Sequence, residues 1–138
     1  MSTRAIFAKE LSDGTFVGGW QWNDGGNYTP SELNRKFSKE KDVDDLIAIG
    51  EWRVIFSKKQ KEEHERWYSE NITNGRKLKW KQISGNFVLL DSWKVRQANK
   101  LNGFCQPCVY KNIEEMLGQD INYLYVFSNK THKWKKYR

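Results

Sequence analysis

An Asp-Gly turn between two β-prone runs constrains the fold of this chain more than any other short feature. Residues 12–15 (SDGT) carry Asp-Gly at the centre, a dipeptide typical of tight β-hairpins. Residues 3–10, with the apolar run AIFA, precede the turn, and residues 16–22 follow it. We therefore predict an N-terminal hairpin. A second hairpin is predicted over residues 122–137, where NYLYVF and HKWKKY flank a polar turn.

Helix signals separate these hairpins. Residues 29–32 (TPSE) combine a capping hydroxyl, a proline at the first helical position and a glutamate three residues on. Residues 42–50 begin with acids and end at a glycine, and residues 112–118 repeat the pattern more weakly. Residues 58–71 are read either as an exposed helix or as an excursion. We predict one α+β domain over residues 1–138, an antiparallel sheet from the two hairpins with two to four short helices.

Composition supports a folded, soluble chain. Aromatic residues reach 14%, with seven Trp, whereas disordered chains are poor in aromatic residues. No apolar run is long enough to span a membrane, and the N-terminus lacks an apolar signal region. We therefore expect a protein of the cytoplasm with no membrane partner.

The positive charge is concentrated in the second half of the sequence. The whole chain carries +7, while residues 1–69 sum to −1 and residues 70–138 to +8. A separated basic half favours an anionic partner, such as a nucleotide, a nucleic acid or an acidic protein surface. A solvated face that only maintains solubility remains the alternative.

Two basic segments interleave cations with aromatic residues. They are residues 76–81 (RKLKWK) and 132–138 (HKWKKYR). Aromatic side chains stack on bases while Lys and Arg hold phosphates. Alternation along a strand would instead direct Trp80 and Trp134 into the core and the lysines into water. The guanidinium groups best suited to bidentate phosphate contact are those of Arg4, Arg76 and Arg96.

Residues 18–26 (GGWQWNDGG) form the other conspicuous segment. Alternation places Trp20 and Trp22 on one strand face and Gln21 on the other. We expect both indoles in the core of the hairpin. Gln21, Asn23 and Asp24 would then form a polar recognition corner at the strand end, with Trp22 as an edge contact.

Cys105-Gln-Pro-Cys108 is compatible with a redox dithiol, half of a zinc site or two structural thiols. A zinc site needs two further ligands, and His64 and His132 show no ligand-type spacing. The β-like sequence after Cys108 does not match the helix start that a redox pair requires. Paired carboxylates lie in helix-like runs. We therefore predict no catalytic residue, no metal and no cofactor.

The order of segments MSTRAI, DGT, GGWQWNDG, a helix-start proline and LIAIG resembles small accessory proteins of tailed phages and prophages. The C-terminal run VYKNIEEMLGQDINYLYVFSNKTHKWKKY is similar to that family as well. The resemblance covers residues 1–52 and 109–137. Where the family carries His-Trp-Asp, this chain has Gln21-Trp22-Asn23, and amides do not act as acid or base at neutral pH.

The resemblance implies a phage accessory protein acting in the host cytoplasm, of a class that often counters host defence or redirects host physiology. Together with the charge, it leads us to expect a non-enzymatic protein that binds a signalling nucleotide or a nucleic acid. Small binders of this kind are often homo-oligomers, because an interface can complete a pocket. The predicted ligand-binding residues are Arg4, Gln21, Trp22, Asn23, Asp24, Arg76, Lys77, Lys79, Lys81 and Arg96.

Two other functions stay open at this point. One is an inhibitor that docks on a host defence protein through the charged residues 58–71. The other is a thiol- or metal-dependent enzyme built on Cys105 and Cys108.

Overall fold

The computed structural model of the protein describes residues 3–72, 78–90 and 107–138. Nine strands and four helices occur within these ranges, which confirms the predicted α+β class. In chain order they are β1 (Ala5–Glu10), β2 (Phe16–Gln21), α1 (Pro30–Lys36), α2 (Glu40–Ala48), β3 (Glu51–Trp52), β4 (Val54–Ser57), α3 (Lys58–Asn71), β5 (Trp80–Ile83), β6 (Asn86–Leu89), β7 (Cys108–Tyr110), α4 (Ile113–Leu117), β8 (Tyr123–Ser128) and β9 (Lys133–Tyr137).

The larger sheet contains both predicted hairpins. Its strand order is β3-β2-β1-β8-β9, and β7 pairs with the other half of the outer edge of β2. The hairpins β1–β2 and β8–β9 are antiparallel, as predicted. β1 runs parallel to β8, and β2 runs parallel to β3. The sheet is therefore mixed, and its central parallel pair joins the first hairpin to the last.

A second sheet of three strands has the order β4-β6-β5. The sequence predicts a β-prone run over residues 52–56 and strands over residues 77–83 and 86–95. The second sheet contains residues 54–57, 80–83 and 86–89 of these, whereas Trp52 belongs to β3 of the larger sheet and residues 77 and 91–95 lie outside the described ranges. The two sheets meet at Arg53. The Arg53 carbonyl accepts a hydrogen bond from the Asn23 N–H at 3.0 Å, and its N–H donates to the Leu89 carbonyl at 2.8 Å.

The two faces of the larger sheet carry separate apolar clusters. On the first face Phe7, Trp52 and Tyr125 are fully buried beneath α1, α2 and the second sheet. The rings of Phe7 and Tyr125 stack with centroids 4.7 Å apart. On the second face Leu124 and Met116 are fully buried, because the short helix α4 packs there. The core is thus built from a few large side chains.

Helix α1 begins as its sequence predicts. Thr29 has extended backbone angles, its hydroxyl accepts the Glu32 N–H at 3.2 Å, and Pro30 occupies the first helical position. This cap satisfies one of the N–H groups that a helix start leaves without a partner. The end of α2 also follows its signal, because Gly50 has φ of +86° and its N–H donates to the Ile47 carbonyl.

Replacing the cap of α1 should have a small, measurable effect. We expect Thr29→Ala to lower the free energy of unfolding by about 1 kcal/mol, since the Glu32 N–H loses its acceptor at the helix start. Thr29→Ser keeps the hydroxyl and should stay close to the wild type. Urea denaturation followed by circular dichroism measures both. Equal losses for the two variants would show that the threonine methyl group, rather than the cap, matters.

Residues 58–71 form the helix α3. A capping box starts it, in which Ser57 and Gln60 exchange side-chain to backbone hydrogen bonds. The helix packs on the outer face of the second sheet, yet none of its residues is fully buried, and Trp67 is 53% exposed. Within the described residues, no helix has both the length and the apolar character needed to cross a membrane.

Candidate functional site

The segment 18–26 is oriented opposite to expectation. Alternation along β2 is confirmed, but Gln21 is fully buried, whereas Trp20 and Trp22 are half-buried on the other face. The reason lies at Gly19, where an added Cβ would come within 2.5 Å of the Trp52 ring. The Trp52 ring therefore occupies the space above Gly19, and it belongs to the apolar cluster on the first face of the larger sheet. The prediction that both indoles of the segment enter the core of the hairpin holds only in part, because Trp20 packs against the second cluster while half-buried and Trp22 belongs to neither cluster.

Gln21 serves as a hydrogen-bonding hub inside the core. Its carboxamide oxygen accepts from Trp52 Nε1 at 2.9 Å, and its nitrogen donates to the Asn23 carbonyl at 2.7 Å and to Tyr28 Oη at 3.0 Å. Tyr28 Oη in turn accepts the Ile55 N–H at 3.2 Å. Burial raises the pKa of Tyr28 to about 12. These contacts tie both sheets together and leave Gln21 inaccessible, so its predicted role as a ligand contact is not supported.

Trp22 is held by a buried carboxyl group. Its Nε1 donates to Glu51 Oε1 at 2.9 Å, and Glu51 is only 4% exposed. Burial raises the pKa of Glu51 to about 7, although the indole hydrogen bond acts in the opposite direction. Glu51 Oε2 is buried and has no hydrogen-bond partner among the described residues. This pair fixes the Trp22 ring at the edge of the sheet.

The other predicted ligand contacts of the N-terminal half are Asn23, Asp24 and Arg4. The Asn23 backbone N–H bonds to Arg53, and Asp24 is exposed with φ of +55°. Asp24 borders a depression of about 80 Å³, which is too small for a nucleotide. Arg4 Nη1 forms an ion pair with Asp120 Oδ2 at 3.1 Å.

The predicted cations that the structure describes, Arg4, Lys79 and Lys81, lie on different parts of the molecule. Lys79 and Lys81 are exposed beside β6, on the second sheet. Trp80 points to the opposite face, under α3, where its ring centroid is 6.0 Å from that of Phe56. Arg76, Lys77 and Arg96 lie outside the described residues, as does Cys105. The described members of the predicted set therefore do not form one binding wall.

Cys108 lies in strand β7 and forms no disulfide with a described residue. The described residues contain no group of three or more His, Cys, Asp or Glu side chains close enough to hold a metal ion.

A groove of about 300 Å³ lies on the second face of the larger sheet, beside α4. Val126 and Ser128 of β8 line it together with Ile113 at the start of α4. The groove exists because α4 has only five residues and covers only part of this face. Its volume is at the lower end of the range for small-molecule sites.

Strand β9 gives the groove a cationic side. Side chains 133, 135 and 137 project to the same face because a strand alternates, so Lys133, Lys135 and Tyr137 all line the groove. Lys135 Nζ lies 5.2 Å from the centroid of the Tyr137 ring. Neither lysine forms an ion pair with a described residue. Their charge is therefore available to a ligand.

Strands β1 and β2 give the groove its other side. Glu10 and Phe16 are in register across the hairpin and both line it. Glu10 also borders a neighbouring cavity of about 400 Å³, which lies between the turns at Leu11–Gly14 and Asn129–Lys130. The groove and this cavity therefore adjoin at Glu10.

Sequence reasoning identified part of this groove. The sequence marks residues 132–138 as a basic, aromatic segment, but Lys133, Lys135 and Tyr137 were not among the predicted ligand-binding residues. Alternation along the strand separates Trp134 from these side chains. Trp134 is 4% exposed and donates through Nε1 to the Phe37 carbonyl at 2.9 Å, so it belongs to the core. Glu10 and Phe16 were missed, because only the parallel pairing of β1 with β8 brings the first hairpin beside the last. Ser128 was missed as well, although it pairs directly with Lys133 in the predicted C-terminal hairpin.

No family model, no curated protein and no solved structure matches this chain.

Proposed function

We propose that this protein is a non-enzymatic, phage-encoded accessory protein that binds an anionic ligand in the groove beside β9. It acts in the host cytoplasm by sequestering that ligand, and so counters host defence or redirects host physiology. The phage context rests on the sequence resemblance alone. Of the two ligand classes expected from the sequence, the size of the groove favours a nucleotide over a nucleic acid.

The observation that supports the proposal is that two lysines without an ion-pair partner among the described residues lie beside the apolar and aromatic side chains of the groove. Lys133 and Lys135 lie on the same face as Tyr137 and lack acidic partners among the described residues. Ammonium groups hold phosphates as point charges, and an aromatic ring offers a surface to a base. The Ser128 and Thr131 hydroxyl groups add hydrogen-bonding capacity at the same place.

Binding without turnover fits the lining of this groove. Among its described lining residues there is neither a histidine nor a cysteine, and Glu10 is the one carboxylate. A Ser–His or Cys–His pair of the kind that activates a nucleophile therefore does not lie within it.

The proposal predicts that two lysines dominate affinity. In calorimetric titrations with nucleoside monophosphates, triphosphates and cyclic dinucleotides, we expect K133A/K135A to weaken binding about tenfold or more, since charge-assisted hydrogen bonds contribute about 1.5–3 kcal/mol each. The matched control is K58A/K59A, which removes two exposed charges from α3. It should change affinity by less than about twofold, because exposed charges far from the ligand are screened.

Two results would contradict the proposal. One is the absence of binding of any nucleotide, together with no small molecule released from the denatured protein by mass spectrometry. The other is an equal loss of affinity in both double variants, which would mean that only net charge matters. A shift on single-stranded RNA that weakens steeply with salt would instead point to nucleic acid.

The helix α3 supports a second candidate, an inhibitor of a host protein. A helix of 14 residues that buries none of them completely and exposes 53% of Trp67 resembles a docking element. Capture of one host protein that survives high salt, in the absence of nucleotide binding, would favour this function over the first.

A further inference from the structure

We infer that the groove selects guanine over the other nucleobases, and that Glu10 is the residue that determines this selectivity. The inference rests on the proposed nucleotide-binding function and concerns the same groove. Glu10 places a carboxylate beside the lysines of the groove, and this is the one feature of the described lining that does not suit an anionic ligand.

Glu10 is placed to contact a ligand. It is the last residue of β1, it lines both the groove and the adjoining cavity, and its partner in register is Phe16. Among the described residues its carboxylate forms no ion pair and no hydrogen bond. The neighbouring Lys9 projects to the other face of the sheet, where it pairs with Glu40 at 2.7 Å and with Asp44 at 2.8 Å. The charges of Lys9 and Glu10 therefore lie on opposite faces of the sheet, and Lys9 does not neutralise Glu10.

The separation of charges sets the orientation of the ligand. Lys133 pairs with Ser128 on β8, and Glu10 lies one strand farther on the same face. Two strand spacings amount to about 10 Å. A phosphate group would be repelled by Glu10 and attracted by Lys133 and Lys135. The phosphate of a bound nucleotide therefore lies at β9, and its base lies at Glu10.

The chemistry of a carboxylate then distinguishes among the bases. An ionised carboxylate only accepts hydrogen bonds, and its two oxygens suit two parallel donors. Guanine presents N1–H and the N2 amino group side by side on its Watson–Crick edge. Adenine and cytosine each present one amino group next to an acceptor nitrogen, and uracil presents one N–H between two acceptors. Guanine alone satisfies both oxygens, whereas the others place an acceptor against the carboxylate. Phe16 supplies an apolar edge beside the base.

The test compares GMP, IMP and AMP on the wild-type protein by calorimetry. We expect GMP to bind about tenfold or more tightly than AMP, the discrimination typical of a bidentate contact to a base edge. IMP keeps N1–H but lacks the N2 amino group, so its affinity should lie between the two. These three ligands carry the same phosphate, and the comparison needs no variant.

The variant E10Q assigns the preference to one residue. A carboxamide offers one acceptor and one donor, which match the amino group and acceptor nitrogen of adenine, so AMP affinity should rise, GMP affinity should fall, and the ratio of GMP to AMP affinity should drop to about twofold or less. E114Q removes an exposed carboxylate from α4 and should leave the ratio as in the wild type.

The possible results distinguish guanine selection by Glu10 from nucleotide binding in the groove. Equal affinities for GMP and AMP in the wild type, or a preference that survives E10Q, would overturn guanine selection while nucleotide binding stands. Failure of the wild type to bind any of the three ligands would overturn both.

Discussion

Gln21→Ala should lower the free energy of unfolding by about 3–5 kcal/mol, since it combines a core cavity with lost hydrogen bonds. The truncation removes the acceptor of the buried Trp52 indole N–H and the donor to the Asn23 carbonyl. The Trp52 indole N–H then lacks this acceptor inside the buried core. Urea denaturation monitored by tryptophan fluorescence measures the loss.

Two further variants separate the causes. Gln21→Met retains most of the volume and loses only the hydrogen bonds, so we expect an intermediate loss of about 2 kcal/mol. Gln82→Ala makes the same truncation at an exposed position of β5 and should change stability by less than about 0.5 kcal/mol. A Gln21→Ala loss below about 1 kcal/mol would be inconsistent with a core hub.

Glu51 should make the stability of the protein depend on pH in an unusual direction. Its pKa is raised by burial from 4.5 to about 7 in the folded protein. The native state therefore keeps the proton between pH 4.5 and 7, while the unfolded chain releases it. The contribution of Glu51 is fully present below pH 4.5, is lost as the pH rises to about 7, and stays absent above that value.

Comparison with Glu51→Gln isolates this effect. The carboxamide retains an acceptor for Trp22 Nε1 and does not titrate. We expect the stability of the variant relative to the wild type to rise by about 2–3 kcal/mol between pH 5 and pH 8. Glu63→Gln replaces an exposed carboxyl on α3 and should reproduce the pH dependence of the wild type. Urea midpoints at the two pH values measure the difference. If the stability difference between wild type and Glu51→Gln were the same at both pH values, the raised pKa of Glu51 would be refuted.

Local signals predicted most of the elements of this fold, although they did not decide between a helix and an excursion for residues 58–71. Thr29 before Pro30 and Gly50 after α2 each have one favoured geometry, and the structure adopts it. Asp13-Gly14 does mark the hairpin turn, with Gly14 at φ of +86°, but the loop spans residues 11–15 and is not a two-residue turn. These signals act over a few residues, so a single sequence contains them. They also located the basic, aromatic strand β9, because its alternation needs no distant partner.

Long-range pairings decided what local signals left open. The choice of which face of β2 enters the core depended on Trp52, whose ring lies over Gly19. Both faces of the strand carry large groups, so alternation alone could not make that choice. The acidic side of the groove likewise depends on β1 lying parallel to β8. Parallel neighbours have no connecting turn to reveal them.

That parallel pair also governs when the chain can fold. Contacts such as the hydrogen bond between Arg4 and Asn122 join residues 118 positions apart. During synthesis, β1 remains without its central neighbour until residues 123–127 have left the ribosome. Until then the first hairpin exposes an apolar strand edge of the kind that attracts other chains. We therefore expect slow folding of high contact order, in which the first hairpin gains its central pairing only once residues 123–127 are available.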